Sequence, residues 1–348
     1  MEYNYAVFVG RFQPFHVGHL RNIQKALSIA EKLIIIVGSA YCAPNIKNPF
    51  SYELRKKMIM ADLVLADIDK NRIIIEPVTD WFYDENGWKN EVQEKVYKHA
   101  AWQEKIAIIG HQKDASSYYL KCFPRWQHVD VDNFNAFNAT CFRRQYFVKH
   151  VIEPQYMISP DSDKGSYHYV AEFMQSSLFT RLCEEYQVID AYQKSWEKAP
   201  FAPIFVTVDA MVIVNNKLLL IKRKYAPGKE LWAFPGGFLD QEERIFDGII
   251  RELVEETQVA ISRDELKKCH VETRVFDYPE RSLRGRTITH VGLFIQQTAS
   301  LPHIQADDDA EVARWVDLEE VYQYMSDKLM DDHYQIIRNM LHRHKLLT

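Results

Sequence analysis

The stretch AVFVGRFQPFHVGHLRNIQKALSIAEKLIIIVG, residues 6–38, decides the fold of the first half. AVFVG (6–10) is a short apolar run of strand length. HLRNIQKALSIAEK (19–32) follows, with Leu20, Ile23, Leu27 and Ala30 at helical spacing. LIIIVGSA (33–40) is a second apolar run. RIIIEPV (72–78), KIAIIGH (105–111) and HVDVDNF (128–134) supply a third, fourth and fifth. Continuous Ile/Val runs separated by helices predict a parallel sheet covered on both faces. Ligands of such sheets sit beyond the carboxyl ends of the strands. Both GRFQPFHVGH (10–19) and GSAYCAP (38–44) fall there.

The first of these loops has the chemistry of a phosphate site. Gly10 closes a strand and His19 opens a helix, whose unpaired N–H groups and partial positive charge suit an anion. Gly18 lets the backbone approach a ligand closely. His16 and His19 flank it and can donate to phosphate oxygens as charge builds in a transition state. Arg11 adds a fixed cation, and Phe12 completes the loop as a further binding candidate. FNATCFRR (137–144) offers a second anion-binding helix start, with Asn138 as N-cap, Thr140 in the first turn, and Arg143 and Arg144 beyond.

His16-Val17-Gly18-His19 with Asn138-Ala139-Thr140-Cys141-Phe142-Arg143 resembles the paired motifs of the HxGH nucleotidyltransferases. Asn138 stands where that family often has Ser, an equally good cap. The longer GRFQPFHVGHL, with GSA (38–40) and IKNPFSYELR (46–55), is similar to the archaeal-type nicotinamide mononucleotide (NMN) adenylyltransferases over roughly residues 5–150. The resemblance implies a Rossmann-like α/β domain and direct in-line transfer from ATP to NMN. It assigns transition-state stabilisation to His16 and His19. It assigns ATP and phosphate binding to Gly10, Arg11, Phe12, Gly18, Thr140 and Arg143, with Mg²⁺ on the triphosphate. Trp88, in DENGWKNE, is the candidate for stacking on nicotinamide, and Trp81 is its rival.

The style of the chain changes after a helical stretch, EFMQSSLFTRLCEEYQVIDAYQKSWEKAP (172–200), and the breaks at Pro200 and Pro203. IFVTVDAMVIV (204–214) and KLLLIKRK (217–224) read as a hairpin turned by Asn215-Asn216. HVETRVFDYP (270–279) and TITHVGLFIQQ (287–297) are further strands, and helices are expected at 317–325 and 331–346. The expected organisation is a first domain at 1–171, a helical linker at 172–200 and an α+β domain at 201–348.

The distinctive element of the second half is the acidic helix expected at 242–257. Glu252, Glu255 and Glu256 lie three and four residues apart, which shares one helical face. Ile249, Ile250, Leu253 and Val254 are expected opposite, in the core. A divalent ion reverses the mutual repulsion of three carboxylates, and Mg²⁺ favours carboxylate oxygen and water. Gly237, five residues, Glu243, seven residues, then Arg251-Glu252-Leu253-Val254-Glu255-Glu256-Thr257-Gln258-Val259 is similar to the Nudix box. It departs at Gln258, where Gly is usual, a position that favours a left-handed helix cap.

The Nudix resemblance implies an α/β/α sandwich that hydrolyses a nucleoside diphosphate linked to another moiety. It implies that Glu252, Glu255 and Glu256 bind Mg²⁺ or Mn²⁺, with Glu252 and Glu256 counted as catalytic, and that Arg251 pairs with Glu243 in support. Glu311, in DDDAEVARWVDLEE (307–320), is an additional acidic candidate or part of an acidic surface loop.

Taken whole, the chain resembles the bifunctional NMN adenylyltransferase/Nudix hydrolases. The implied activities are NAD synthesis from NMN and ATP, and hydrolysis of ADP-ribose to AMP and ribose 5-phosphate. Three alternatives stay open: another phosphate-ester acceptor, another dinucleotide for the Nudix half, or a non-catalytic ADP-ribose sensor. The formal charge of −5 over 348 residues gives no basic footprint for nucleic acid. No apolar run approaches the ~20 residues that span a membrane. Five scattered cysteines without C-x-x-C spacing predict reduced thiols and a cytoplasmic protein, and the N-terminus lacks a signal-peptide pattern. The expected partners are small nucleotides (ATP, NMN, NAD, ADP-ribose).

Overall fold

The computed structural model describes residues 1–111, 119–131, 143, 145–152, 157–158 and 164–346. The chain divides into two compact units, Met1–Cys183 and Glu184–Thr348. The division falls inside a helix, Ser177–Ser195, within the stretch expected to be helical.

In the first unit, β1 (Tyr3–Gly10), β2 (Ala30–Val37), β3 (Ile73–Pro77), β4 (Ile106–Ile109) and β5 (Gln127–Val129) form one parallel sheet in the order β3-β2-β1-β4-β5. Gly10 pairs with Val37 and Val37 with Pro77, so three strands end level. Their following loops therefore emerge at one edge. Helix α1 (Val17–Ile29) buries Leu20, Ile23, Ala26 and Leu27. It stops three residues before the sequence pattern suggests. Ala30 is extended and pairs with Tyr3, so strand pairing overrides the helical propensity of Ala-Glu-Lys.

Helices α2 (Tyr52–Leu65) and α3 (Glu85–Tyr97) carry side-chain N-caps from Ser51 and Asp84. The core behind the sheet joins Val7, Ile34 and Ile36 to Val92 and Val96 of α3. The fifth strand is shorter than expected, and residues 132–134 lie outside the described ones. Helix α4 (Ser166–Phe173) precedes α5 (Ser177–Ser195).

The second unit is built on β6 (Phe205–Val214), β7 (Lys217–Arg223), β10 (His270–Phe276), β11 (Thr287–Gln296) and β12 (Ala310–Asp317), in the order β10-β11-β6-β7-β12. β11 and β6 are parallel and the other neighbours antiparallel. Asn215 and Asn216, at φ 50° and 63°, turn the β6–β7 hairpin, as a two-residue turn with both φ positive requires. Short strands β8 (Trp232–Ala233) and β9 (Gly236–Phe238) pair with β7 and β6. Residues 310–317 form an edge strand on β7, where the sequence suggested an acidic loop.

Helix α6 (Ile245–Thr257) carries the acidic motif, followed by α7 (Arg263–Cys269), α8 (Leu318–Tyr324) and α9 (His333–His344). Ile249, Ile250 and Leu253 of α6 are buried, each contributing about 2 kcal/mol of apolar burial. Val254, expected in the core, is 44% exposed, and Glu256, expected on a polar face, is 3% exposed. The helical period explains the exchange: residue 256 follows 249 and 253 by seven and three, so it shares their buried stripe.

Gln258 ends α6 in the left-handed conformation, φ 42° and ψ 35°. Its side-chain amide donates to Asp307, tying the helix end to the chain before β12.

Among the described residues, no helix is long and apolar enough to cross a membrane, and Cys42 and Cys269 are free thiols.

Candidate functional site

The first site lies at the level ends of β1, β2 and β3. His16 caps α1, and its Nδ1 accepts from the His19 backbone N–H at 3.4 Å. That places the proton of a neutral His16 on Nε2. The His16 and His19 rings stack with centroids 3.5 Å apart. A Cβ at Gly18 would stand 3.1 Å from the His16 ring, so a larger residue would press on the stack. Phe12 is 1% exposed at φ 52°, with its ring edge-on to His19 at 4.8 Å. Its side chain is thus spent on packing against the histidine. Gly10 accepts from the Gly38 N–H at 2.9 Å, joining the two loops. Arg11 is exposed.

Arg143 reaches this loop, with Nη1 donating to the Gln13 carbonyl at 3.0 Å. Thr140 lies outside the described residues, as do Asn138 and Arg144. Trp88 is half-buried against the core, near Tyr119 and Phe123. Trp81 donates from Nε1 to Glu91 at 2.6 Å and packs on Gly87.

Two residues of this site were missed by the motif reading. Arg55, on α2, is fully buried and donates to four carbonyls: Arg11 at 2.6 Å, Gly38 at 2.7 Å, Ser39 at 2.8 Å and Ser51 at 3.3 Å. Burial pulls its pKa down to about 10. A helical Arg in SYELRKKM gives no sign of this, since its partners are backbone atoms from other loops. Asp80 follows β3 at the same sheet edge. Burial raises its pKa, while a hydrogen bond from Ser39 and the charge of Arg11 oppose that rise. Its place just after a strand end was a usable signal.

The second site is a cavity of about 340 Å³ in the second unit. It is lined by Gly237, Glu252, Glu255 and Glu256, by Asp209 of β6, and by arginines 223, 251, 281 and 284 among others. The Gly236 N–H donates to Glu256 at 2.8 Å. A Cβ on Gly237 would stand 2.5 Å from a Glu252 carboxylate oxygen, so only glycine admits that close approach. Arg251 is bidentate on Glu243, at 2.6 and 3.1 Å, and also donates to Glu252 at 2.8 Å and Glu255 at 2.9 Å. Hydrogen bonding from Arg251 lowers the Glu243 pKa, and that to Glu243 raises the pKa of Arg251. Burial raises Glu252 to about 7 and Glu256 to about 8, and it also raises Asp209.

Among the described residues, no three His, Cys, Asp or Glu side chains already converge as a metal nest. The donor set still fits a divalent ion. Mg²⁺ takes one or two carboxylates and completes its shell with water and substrate phosphate. Buried carboxylates that resist ionising gain most from such a cation. Glu311 is not among these groups: it stands on β12, half-exposed, 3.7 Å from Lys222. The register of β12 shifts between Ala310 and Val312, around Glu311, and no residue of β12 lines the cavity. Asp308 and Asp309, just before β12, reach the cavity instead.

A parallel-sheet unit with stacked histidines at a helix start, followed along the chain by a unit with a glutamate-lined cavity, defines a nucleotidyltransferase joined to a Nudix protein. Residues 7–114 match the Cytidylyltransferase-like family and residues 203–340 the NUDIX domain. The chain is 36% identical over 191 residues to the nicotinamide/nicotinic acid mononucleotide adenylyltransferase of Acinetobacter baylyi, covering 55% of this chain and 97% of that protein. It is 35% identical over 136 residues to the ADP-ribose pyrophosphatase of Methanocaldococcus jannaschii, covering 39% and 72%. The crystal structure of a bifunctional NMN adenylyltransferase/ADP ribose pyrophosphatase from Francisella tularensis, complexed with AMP and Mn ion, superposes with a TM-score of 0.95. Identity to it is 48%, over 98% of this chain and 99% of that one. The chain belongs to the bifunctional NMN adenylyltransferase/ADP-ribose pyrophosphatase family.

Proposed function

We propose that the first unit transfers the adenylyl group of ATP to NMN, and that the second hydrolyses ADP-ribose to AMP and ribose 5-phosphate. The observation that carries this reading is the likeness to the Francisella tularensis enzyme along nearly the whole of both chains.

In the first unit, an oxygen of the NMN 5′-phosphate attacks the α-phosphorus of ATP, and the bond to the β-phosphate oxygen breaks to release pyrophosphate. No protein nucleophile takes part, so the residues position and stabilise charge. His16, through Nε2–H, and His19 donate to the oxygens of the transferring phosphate. The N-terminus of α1, Gly10, Gly18 and the Phe12 backbone receive the phosphates, and Arg11, Thr140 and Arg143 hold the triphosphate. Mg²⁺ would accompany the ATP triphosphate and offset its charge. Trp88 or Trp81 stacks on nicotinamide.

In the second unit, Glu252, Glu255 and Glu256 would hold Mg²⁺ or Mn²⁺, which would supply Lewis acidity for the diphosphate and for activation of water. Arg251, clamped by Glu243, fixes Glu252 and Glu255. The Gly236 N–H orients Glu256. Asp209, which accepts from the Thr289 hydroxyl, lines the same cavity. With small nucleotides on both sides, the two reactions make NAD and clear a product of its breakdown, in the cytoplasm.

The test incubates the protein with ADP-ribose and Mg²⁺, and separately with ATP, NMN and Mg²⁺, and separates the products chromatographically. AMP with ribose 5-phosphate, and NAD with pyrophosphate, are expected. Intact ADP-ribose beside normal NAD synthesis sinks the hydrolase half, and absence of NAD sinks the transferase half.

A further inference from the structure

Four arginines line the cavity of the second unit, and they differ in what holds them. Arg251 is neutralised by Glu243, Glu252 and Glu255. Arg281 forms a buried bidentate pair with Asp332, at 2.9 and 3.0 Å. Arg223 and Arg284 make no carboxylate ion pair among the described residues. Arg223 spends Nε on the Pro227 carbonyl at 3.0 Å. Arg284 has Nε 3.4 Å from the Ser282 hydroxyl, and its guanidinium lies over the Phe238 ring at 5.0 Å.

Enclosed cations without a paired anion are unfavourable, and burial, with the neighbouring charges of Arg223 and Arg281, pulls the Arg284 pKa down. Asp331 acts on Arg284 electrostatically without closing an ion pair. The ring of Phe238 orients the planar fork, the arrangement that suits bidentate phosphate recognition. Arg223 lines the same cavity as Glu256, Arg284 and Phe238, and its charge acts on both Glu256 and Arg284.

We propose that Arg223 and Arg284 form the anion-receiving wall of this cavity and bind the diphosphate of the substrate opposite Glu252 and Glu256. The assignment rests on the hydrolase reading above and names the residues that recognise a diphosphate ester. Arg251 cannot serve, because its charge is already consumed. Phe238 is a positioning residue that acts through Arg284.

The full-length chain and the variants Arg284→Leu, Arg223→Leu and Arg286→Leu test this. Arg286 lies two residues from Arg284 but outside the cavity lining, and removes the same charge. Hydrolysis of ADP-ribose is measured with Mg²⁺. Binding of ADP-ribose and of AMP is measured by calorimetry in chelator, where parent-minus-variant differences report the second unit alone. The first two variants are expected to raise KM for ADP-ribose and weaken its binding about tenfold or more, with AMP affected less and Arg286→Leu within about twofold of parent. Removing an uncompensated enclosed cation leaves Tm unchanged or higher, so a lowered Tm with unchanged KM would mark a structural arginine and overturn the proposal. Equal weakening of AMP and ADP-ribose overturns the diphosphate assignment. A parent that binds ADP-ribose without hydrolysing it sinks the hydrolase reading alone, and weaker binding in Arg284→Leu then still supports the wall. A parent that neither binds nor hydrolyses it sinks both.

Discussion

Arg55 donates from Nη1 to the carbonyl oxygen of Arg11 at 2.6 Å, across 44 residues of sequence. The same guanidinium holds Gly38, Ser39 and Ser51, so one side chain fastens the loops after β1 and β2 to the start of α2. Arg55→Met should leave several buried carbonyls unsatisfied and cost at least about 3 kcal/mol of stability in the first unit. Denaturant unfolding measures this, and NAD synthesis should fall while ADP-ribose hydrolysis persists. A stable variant with full NAD synthesis would show that the loops hold without it.

Glu256→Gln should reduce ADP-ribose hydrolysis about 10²-fold or more and leave NAD synthesis within about twofold of parent. Chelation should abolish hydrolysis by the parent, and added Mg²⁺ or Mn²⁺ should restore it. Hydrolysis surviving in the chelator would remove the metal from the reaction.

Arg251→Met frees Glu252 and Glu255 from their common anchor and leaves Glu243 without its bidentate partner. Supporting residues of metal sites typically contribute 10- to 100-fold, so a loss of roughly that size in hydrolysis or in Mn²⁺ affinity is expected. Unchanged Mn²⁺ affinity and rate would reduce Arg251 to a surface bridge.

His333 accepts at Nδ1 from the Phe234 N–H at 3.0 Å. Burial first, and then Arg281, Arg223 and Arg284, depress its pKa well below 6.5. The unfolded chain takes that proton near pH 6.5, so this contribution is intact above about pH 6.5 and lost as pH falls below it. His333→Asn keeps an acceptor and cannot titrate. The stability of parent minus variant should therefore decline from about pH 7 to about pH 5.5. Taking the difference removes the opposite trend from Glu252 and Glu256, whose raised pKa values favour the folded state as pH falls. A flat difference curve would place the His333 proton elsewhere.

Trp88→Ala and Trp81→Ala distinguish the two stacking candidates. The ring that holds nicotinamide should raise KM for NMN by roughly 10- to 100-fold on removal, with KM for ATP little changed. Equal small effects from both would leave the stacking to another group.

Much of both sites is legible in the chain because their groups are local. His16 and His19 flank one glycine at a helix start, and Glu252, Glu255 and Glu256 recur within one helix. Alternating Ile/Val runs and helices likewise announce the parallel sheet. Arg55, Asp209 and Arg284 carry no such signal. Each earns its place from atoms distant in sequence, and an isolated Arg or Asp in a helix, strand or loop looks like any surface charge.

The two-part organisation, the Gly10–His19 loop and the acidic helix can be read along the chain alone, since each follows from short-range spacing and backbone propensity. Which glutamate is buried, where Glu311 stands and which cavity arginines lack a carboxylate ion pair among the described residues emerge in three dimensions. Those depend on desolvation and on charges brought together by strand pairing and helix packing. Glu256 shows the difference: its position in the motif is plain from the chain, while its burial and its raised pKa come from the sheet beneath it.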